Sequence, residues 1–441
     1  MPDVPEERTE TEEDTEHFIP FLRDDVIELC LEDGRLEGRE ADDFRAICAH
    51  LVDYLHCRFL TTSDSVKRHY APFDPDRETI LPERDPRSLE NSETELVDLF
   101  RQLAEDANFF PVDHATIEQS FERETLIKLR TQVDLDEFDQ VLCYARGDLY
   151  QEVPVPRLFR KRVEEVDILQ RVLLFLKLKD EAWFKEHGRK HDTRMKPGKI
   201  YLYFYKDVPK WDLELLFPNV RVGMRLKDKL MFGIPAIGGG IGVIAKILPQ
   251  VVVLSGVILF FLGARSWAEG LGINEDSATR AMPVLTALLG VTMALGGLAV
   301  KQWNSYQRKR IKFLRDVTEQ LFFRNLATNR SVFHRVIDSA EEEEGKEMII
   351  LLYHLFSSRS AAQTPADLDH SIECWMRDRF GTAVDFDIDD ALQNLKRLRA
   401  TVPDGRTLTL LTEDADRGLH VPSPRDARAL LDALAADRFG L

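Results

Sequence analysis

The sequence predicts an α+β membrane protein: mostly helical soluble parts with a small antiparallel sheet, a two-helix transmembrane hairpin and a winged-helix-like C-terminal module. Three observations carry that prediction. Two apolar stretches, 247–264 and 283–300, interrupt an otherwise charged chain of 441 residues with a net charge of −18. Elsewhere apolar residues recur mainly at three and four, the helical period. The period falls to two at 200–206, where Tyr201, Tyr203 and Tyr205 alternate with Leu202 and Phe204.

The elements follow in order. Residues 1–16 form an acidic tail without the apolar content to fold. A helical domain is expected over 17–130. Phe44, Ile47, Leu51, Leu55 and Phe59 line one helical face, and Pro72 and Pro75 then turn the chain. A further helix is expected from Ser92 to about Asn108, with Ser92 and Glu95 spaced as a capping box. Over 131–230 a juxtamembrane α+β domain is expected. Its strands fall at 168–179, 200–206 and 141–146, with Arg146-Gly147-Asp148 read as a turn and 180–199 as a polar insertion. The hairpin occupies 231–303. A helical domain follows over 304–360, with 301–326 continuing the second span and Ser331 capping a helix to Phe356. The module over 364–441 has two helices, the second capped by Asp387, then a turn at Pro403-Asp404-Gly405 and a last helix opening at Ser423-Pro424.

The spans sit near the lower limit of about 17 residues for crossing a bilayer. Arg225, Lys227 and Lys229 precede them, and Lys301, Arg308, Lys309 and Arg310 follow, while Trp267 and Trp303 lie just beyond span ends. The positive-inside rule then makes the protein integral and multi-pass, with both termini cytoplasmic and the lipid bilayer as its first partner. The start of the chain has no basic or Arg-rich leader, which favours a prokaryotic cytoplasmic membrane over an organelle. Five cysteines without a CxxC pair fit a reducing compartment. The competing reading of the apolar stretches is a buried hairpin.

Few residues offer chemistry. Gly240 and Gly242 mimic a dinucleotide fingerprint but lead into an apolar span, and no P-loop occurs, so no cofactor is expected. Cys48, His50, His56 and Cys57 diverge around a helix, so no metal is expected. Asp74 and Asp76 read as an Asx turn. Glu341 to Glu344 with Glu347 read as a solvated acidic face. The segment YKDVPKWDLE is the first choice for function through Asp207, Asp212 and Glu214, although no catalytic role is assigned. The helix with Gln393, Asn394, Lys396, Arg397 and Arg399 opens on Asp385, Asp387, Asp389 and Asp390, which speaks against nucleic acid and for protein docking. The leading expectation is a non-enzymatic membrane-anchored scaffold or adaptor with an unidentified protein partner, compatible with a homo-oligomer. The alternatives are a membrane-tethered nucleic-acid-binding regulator and a lipid-linked enzyme using the juxtamembrane carboxylates.

The motifs YAPFDPD at 70–76, YARGD at 144–148, YKDVPKWDLE at 205–214, FRNL at 323–326, AEEEEGKE at 340–347 and VDFD at 384–387 occur in that order. In them the chain resembles an uncharacterised membrane family that includes the animal mitochondrial transmembrane protein 143, from about Phe18 to about Leu411. The resemblance implies a two-span membrane protein with a domain of unknown function, and it supplies no catalytic residues.

Overall fold

The helical period near the start is realised as α1 (Arg23–Glu32), α2 (Arg39–Tyr70) and α3 (Pro86–Asp106). The computed structural model describes residues 18–80, 82, 85–113, 117, 130–157, 160–191, 194–223, 321–358, 363–381, 383–415 and 417–439, with scattered helical positions between Gly290 and Glu319. Gly34 and Gly38, with φ of 73° and 57°, break the chain between α1 and α2, a conformation that glycine adopts without a steric penalty. Along α2 the expected stripe is buried from Phe44 through Phe59 to Tyr70. α3 starts earlier than its capping-box pattern suggests. Pro86 occupies the first turn, where its missing N–H is no loss, and Ser92 instead donates to the Ser88 carbonyl at 2.8 Å within the helix.

The strands are β1 (Phe110–Pro111), β2 (Arg130–Gln132), β3 (Phe138–Arg157), β4 (Arg160–Leu178), β5 (Ile200–Pro209), β6 (Arg221–Gly223) and β7 (Asn325–Thr328). Five of them make an antiparallel sheet in the order β1-β3-β4-β5-β7. Leu173 faces Phe204 and Phe175 faces Leu202 across β4 and β5, and all four join the helical core. The alternation in 200–206 thus places Leu202 and Phe204 inward. The polar stretch after β4 holds one short helix, α4 (Glu181–Glu186). Arg146-Gly147-Asp148 is not a turn: it lies within β3, where Gly147 has φ of 72° and a Cβ would come 2.7 Å from the Gln170 side chain. Residues 325–328 are also not helical. They form the edge strand β7 beside β5, and Asn329 then opens the central helix α5 (Arg330–Ser357).

The C-terminal elements are α6 (Pro365–Phe380), α7 (Ile388–Lys396), the hairpin of β8 (Arg399–Thr401) and β9 (Thr407–Thr409), the pair β10 (Thr412–Glu413) and β11 (Leu419–His420), and α8 (Pro424–Phe439). Thr364 and Asp387 cap α6 and α7 by accepting from the N–H groups of Asp367 and Asp390. The order of elements matches the expectation, but they do not make a free-standing winged-helix module. α8 packs on α2 and α7 on α5, and Leu392 and Leu430 share one core cluster with Phe44 and Phe356. Phe44 lies 6.0 Å from the Tyr353 ring and 6.4 Å from Phe356, both edge-on, and burying one such ring stabilises by roughly 1.5–3 kcal/mol.

Contacts divide the chain into two units, one of 1–120, 135–213 and 324–441 and one of 121–134 and 214–323. The elements above belong to the first, apart from the β2–β6 pair in the second. Among the described residues no helix is long and apolar enough to cross a membrane. That finding overturns the membrane-protein fold class, the transmembrane hairpin and the integral multi-pass localisation expected from the sequence. The fold is α+β around a five-stranded antiparallel sheet. Apolar length is necessary for a span but does not define one, and both stretches were near the minimum length. Apart from isolated positions, 247–264 and 283–300 lie outside the described residues.

Candidate functional site

α5 carries the polar chemistry of the first unit. Its Glu-rich turn is not the solvated acidic face expected: Glu343 is 3% exposed and Lys346 2%, with Glu344 and Glu347 also buried. Successive residues advance by about 100°, so a helix packed on all sides aims these groups at different neighbours. Glu343 pairs with Lys346 at 2.9 Å and Arg146 at 3.4 Å, and accepts from the Ile19 N–H at 3.2 Å. Lys346 donates to the Ile19 carbonyl at 2.6 Å. Glu344 meets Arg58 and accepts from Asn394 at 3.0 Å. Glu347 accepts from Asn108 at 2.8 Å. Burial pushes Glu347 well above the carboxylate range, against the Asn108 hydrogen bond. Burial likewise raises Glu344 to about 7, opposed by Arg58, and Asp106, also beside Arg58, to about 6. Gly345 leaves room for Arg23, whose Cδ would lie 3.1 Å from an added Cβ. This network fastens α1, α2, β3 and α7 to α5. It is a structural device, since every carboxylate in it is occupied by a protein group.

The residues singled out in the sequence do not converge. Asp207 is exposed in β5 with φ of 51°. Asp212 pairs with Arg324 at 3.6 Å, and burial raises its carboxyl. Glu214 is buried in the turn Lys210–Leu216. Lys301, Trp303 and Arg308 are exposed helical positions, whereas Arg225, Lys227, Lys229, Trp267, Lys309 and Arg310 lie outside the described residues. The Asx turn expected at 74–76 is present, with the Asp76 N–H donating to Asp74 at 2.9 Å. His50 turns to Asp432 and His56 to Glu341, while Cys48 is buried with its thiol pushed up by burial. Among the described residues no group of three or more His, Cys, Asp or Glu could hold a metal ion. In α7, Asn394 is buried against Glu344 and Arg58, and Lys396 pairs with Glu413 at 2.5 Å.

Two features went unread in the sequence. One is a cleft of about 360 Å³ between the turn after α1 and the faces of α5 and α6, lined by His354, Arg35, Asp33, Cys374 and Arg379 among others. The signal for it was a histidine inside the apolar run MIILLYHLF. The other is the outer part of the β3–β4 ribbon. β5 pairs with β4 only as far as Ile168, and β1 pairs with β3 only at Tyr144 and Ala145. β3 and β4 continue together to Arg157 opposite Arg160. At about 3.4 Å per residue, that ribbon runs roughly 30 Å beyond the sheet. At its base Lys210 bridges Asp148 at 2.6 Å and Asp167 at 2.9 Å, and burial with the Asp148 contact raises Asp167 to about 6.

Residues 169–331 match a family model described as a protein of unknown function (DUF3754), so the chain carries a domain of unknown function over that stretch. No solved structure matches the chain.

Proposed function

We propose that the protein is a non-enzymatic scaffold that pairs with a second copy of itself through the β3–β4 ribbon. The reading is supported above all by the outer edge of β4, which reads Arg160-Lys161-Arg162-Val163-Glu164-Glu165-Val166-Asp167 and has no second neighbouring strand among the described residues. An unpaired edge is a template for another strand. Pro154 and Pro156 blunt the β3 edge by removing donors, and β4 is left as the open one. Laid antiparallel on itself about Val163, this edge sets Arg162 opposite Glu164 and Lys161 opposite Glu165. Opposite charges in such positions stabilise by roughly 0.2–1 kcal/mol each. The twofold contact is closed, so it yields a dimer and no fibre. Kinship with the family that includes the animal transmembrane protein 143 belongs to this reading, and it is supported by the motifs at 205–214 and 323–326 inside the matched stretch.

The test is sedimentation equilibrium of the full chain with charge-swapped edges. The native chain is expected to dimerise in a salt-sensitive manner. A Glu164→Lys/Glu165→Lys chain and an Arg160→Glu/Lys161→Glu/Arg162→Glu chain are each expected to be monomeric, and their mixture to form the heterodimer. A native monomer, or swapped chains that still self-associate, would overturn the proposal.

A further inference from the structure

The cleft beside α5 is built around an unusual group. His354 is 1% exposed, and its Nε2 has no hydrogen-bond partner among the described residues. The Trp375 ring stands edge-on to the imidazole at 5.1 Å. Burial first, and then Arg35, hold the imidazole down to about 4 against Asp33, so the ring is neutral near neutral pH and offers one donor and one acceptor. Two guanidinium groups line the same cleft: Arg35 commits its Nε to Asp33 at 2.8 Å and Arg379 its Nη2 to Glu32 at 3.0 Å. Each retains further N–H donors in a planar fork suited to a carboxylate. Asp33 is also held by the Tyr353 hydroxyl at 2.6 Å, while Asp378 and Ser371 add an anionic and a neutral polar group to the lining.

We infer that this cleft binds a small zwitterion of the α-amino-acid class, its carboxylate on Arg35 and Arg379, its ammonium toward Asp378, and its side chain against Trp375 near His354. Both signs of charge line one small space, so a simple anion or cation would meet a like charge there, whereas a zwitterion satisfies both. A volume of about 360 Å³ accommodates such a molecule and falls at the small end of ligand pockets. The inference is independent of the ribbon, which lies elsewhere in the sequence and shares no residue with the cleft.

Cys374 lines the cleft, is partly exposed and has the His370 Nε2 at 3.6 Å from its sulfur, which makes it a reporter. Cys57 is also partly exposed and does not line the cleft, which makes it the internal control, and the other three cysteines are buried. Alkylation of the full chain by iodoacetamide is followed residue by residue by mass spectrometry, with the common α-amino acids added one at a time. At least one is expected to slow Cys374 about tenfold when present at tenfold its dissociation constant, with the Cys57 rate unchanged. For an aromatic hit such as L-phenylalanine, 3-phenylpropionate and phenethylamine lack one charge each and are expected to give no protection at the same concentration. Arg379→Ala and Asp378→Asn, both exposed positions, are expected to abolish the protection while leaving the melting temperature of the free protein unchanged. If no amino acid protects Cys374, if the single-charge analogues protect equally, or if both variants keep full protection, the inference is wrong.

Discussion

The two ends of α5 treat buried polar groups in opposite ways. From Glu341 to Glu347 every buried ionisable group meets a partner on another element or on the helix itself: Lys346 for Glu343, Arg58 for Glu344, Asn108 for Glu347. Two turns further on, His354 is as deeply buried, yet its Nε2 meets none among the described residues. A paired buried charge and an orphaned buried nitrogen both oppose folding, but only the first is repaid by its contacts. The lesson is that the charged end holds the fold together, whereas the histidine end gives up stability for a cleft.

The sharpest way to break the charged end is to remove one partner. Lys346→Met leaves Glu343 buried with only Arg146 and the Ile19 N–H, and frees the Ile19 carbonyl. Loss of one member of a buried pair typically costs about 3–5 kcal/mol. Urea unfolding is expected to show a loss of that order, and Glu343→Gln added to Lys346→Met is expected to recover much of it. A single variant within about 0.5 kcal/mol of the native protein would mean that Lys346 does not act as the counter-charge of Glu343 despite its geometry.

How much of this was legible in the sequence depends on the kind of information each element carries. The period-two alternation of Tyr201 to Tyr205 and the stripe from Phe44 to Phe59 are local patterns, and both elements formed as read. The five-stranded sheet was only partly legible, because β7 is four residues long and its partner β5 lies more than a hundred residues away. Glu341 to Glu347 misled for a related reason. Clustered glutamates normally face water, and nothing local announces that Arg58, Arg146 and Asn394 from distant segments will surround them. The apolar stretches 247–264 and 283–300 misled because length and flanking charge describe a span without establishing one. His354 was visible as a polar residue in an apolar run, but its meaning came only when Asp33, Arg35 and α6 were placed beside it.

A second, smaller effect separates the two ends of α5 by pH. Glu344 has its carboxyl raised from the usual 4.5 to about 7, so the folded state holds a proton that the unfolded chain has released. Its contribution to stability is fully present below pH 4.5 and is lost as pH rises through 7, a fall of up to about 3 kcal/mol. His354, lowered from 6.5 to about 4, acts in the other direction: its contribution is present above 6.5 and is lost as pH falls through 4. The two slopes oppose each other between 4.5 and 6.5, and above that only the Glu344 fall persists toward 7. Stability measured by urea unfolding across pH 4.5–8 is expected to fall less steeply near neutrality in Glu344→Gln, which keeps a hydrogen-bonding group beside Asn394. An unchanged fall in that variant would assign it to other carboxylates, of which Glu347, raised further by burial, and Asp106 at about 6 are the nearest candidates.

The smallest effect is the most discriminating. His354→Leu replaces the imidazole by an apolar side chain of similar bulk and removes the orphaned Nε2. A buried polar group without a partner costs about 1–3 kcal/mol. Part of that gain is offset by the lost edge-on contact with Trp375, and a net stabilisation of about 1 kcal/mol is expected by chemical denaturation. Between pH 4.5 and 6.5 the profile of the same variant should fall more steeply with rising pH, since the leucine chain has no group to titrate there and the Glu344 slope is left unopposed. At the charged end an apolar replacement strands a partner, and at the histidine end it strands nothing. If His354→Leu destabilises the protein as strongly as Lys346→Met, the imidazole is a packed and satisfied core residue and the contrast between the two ends fails. If it stabilises while Cys374 loses its protection by amino acids, the histidine is retained for binding at the expense of stability, the trade expected where a site opposes the fold that carries it.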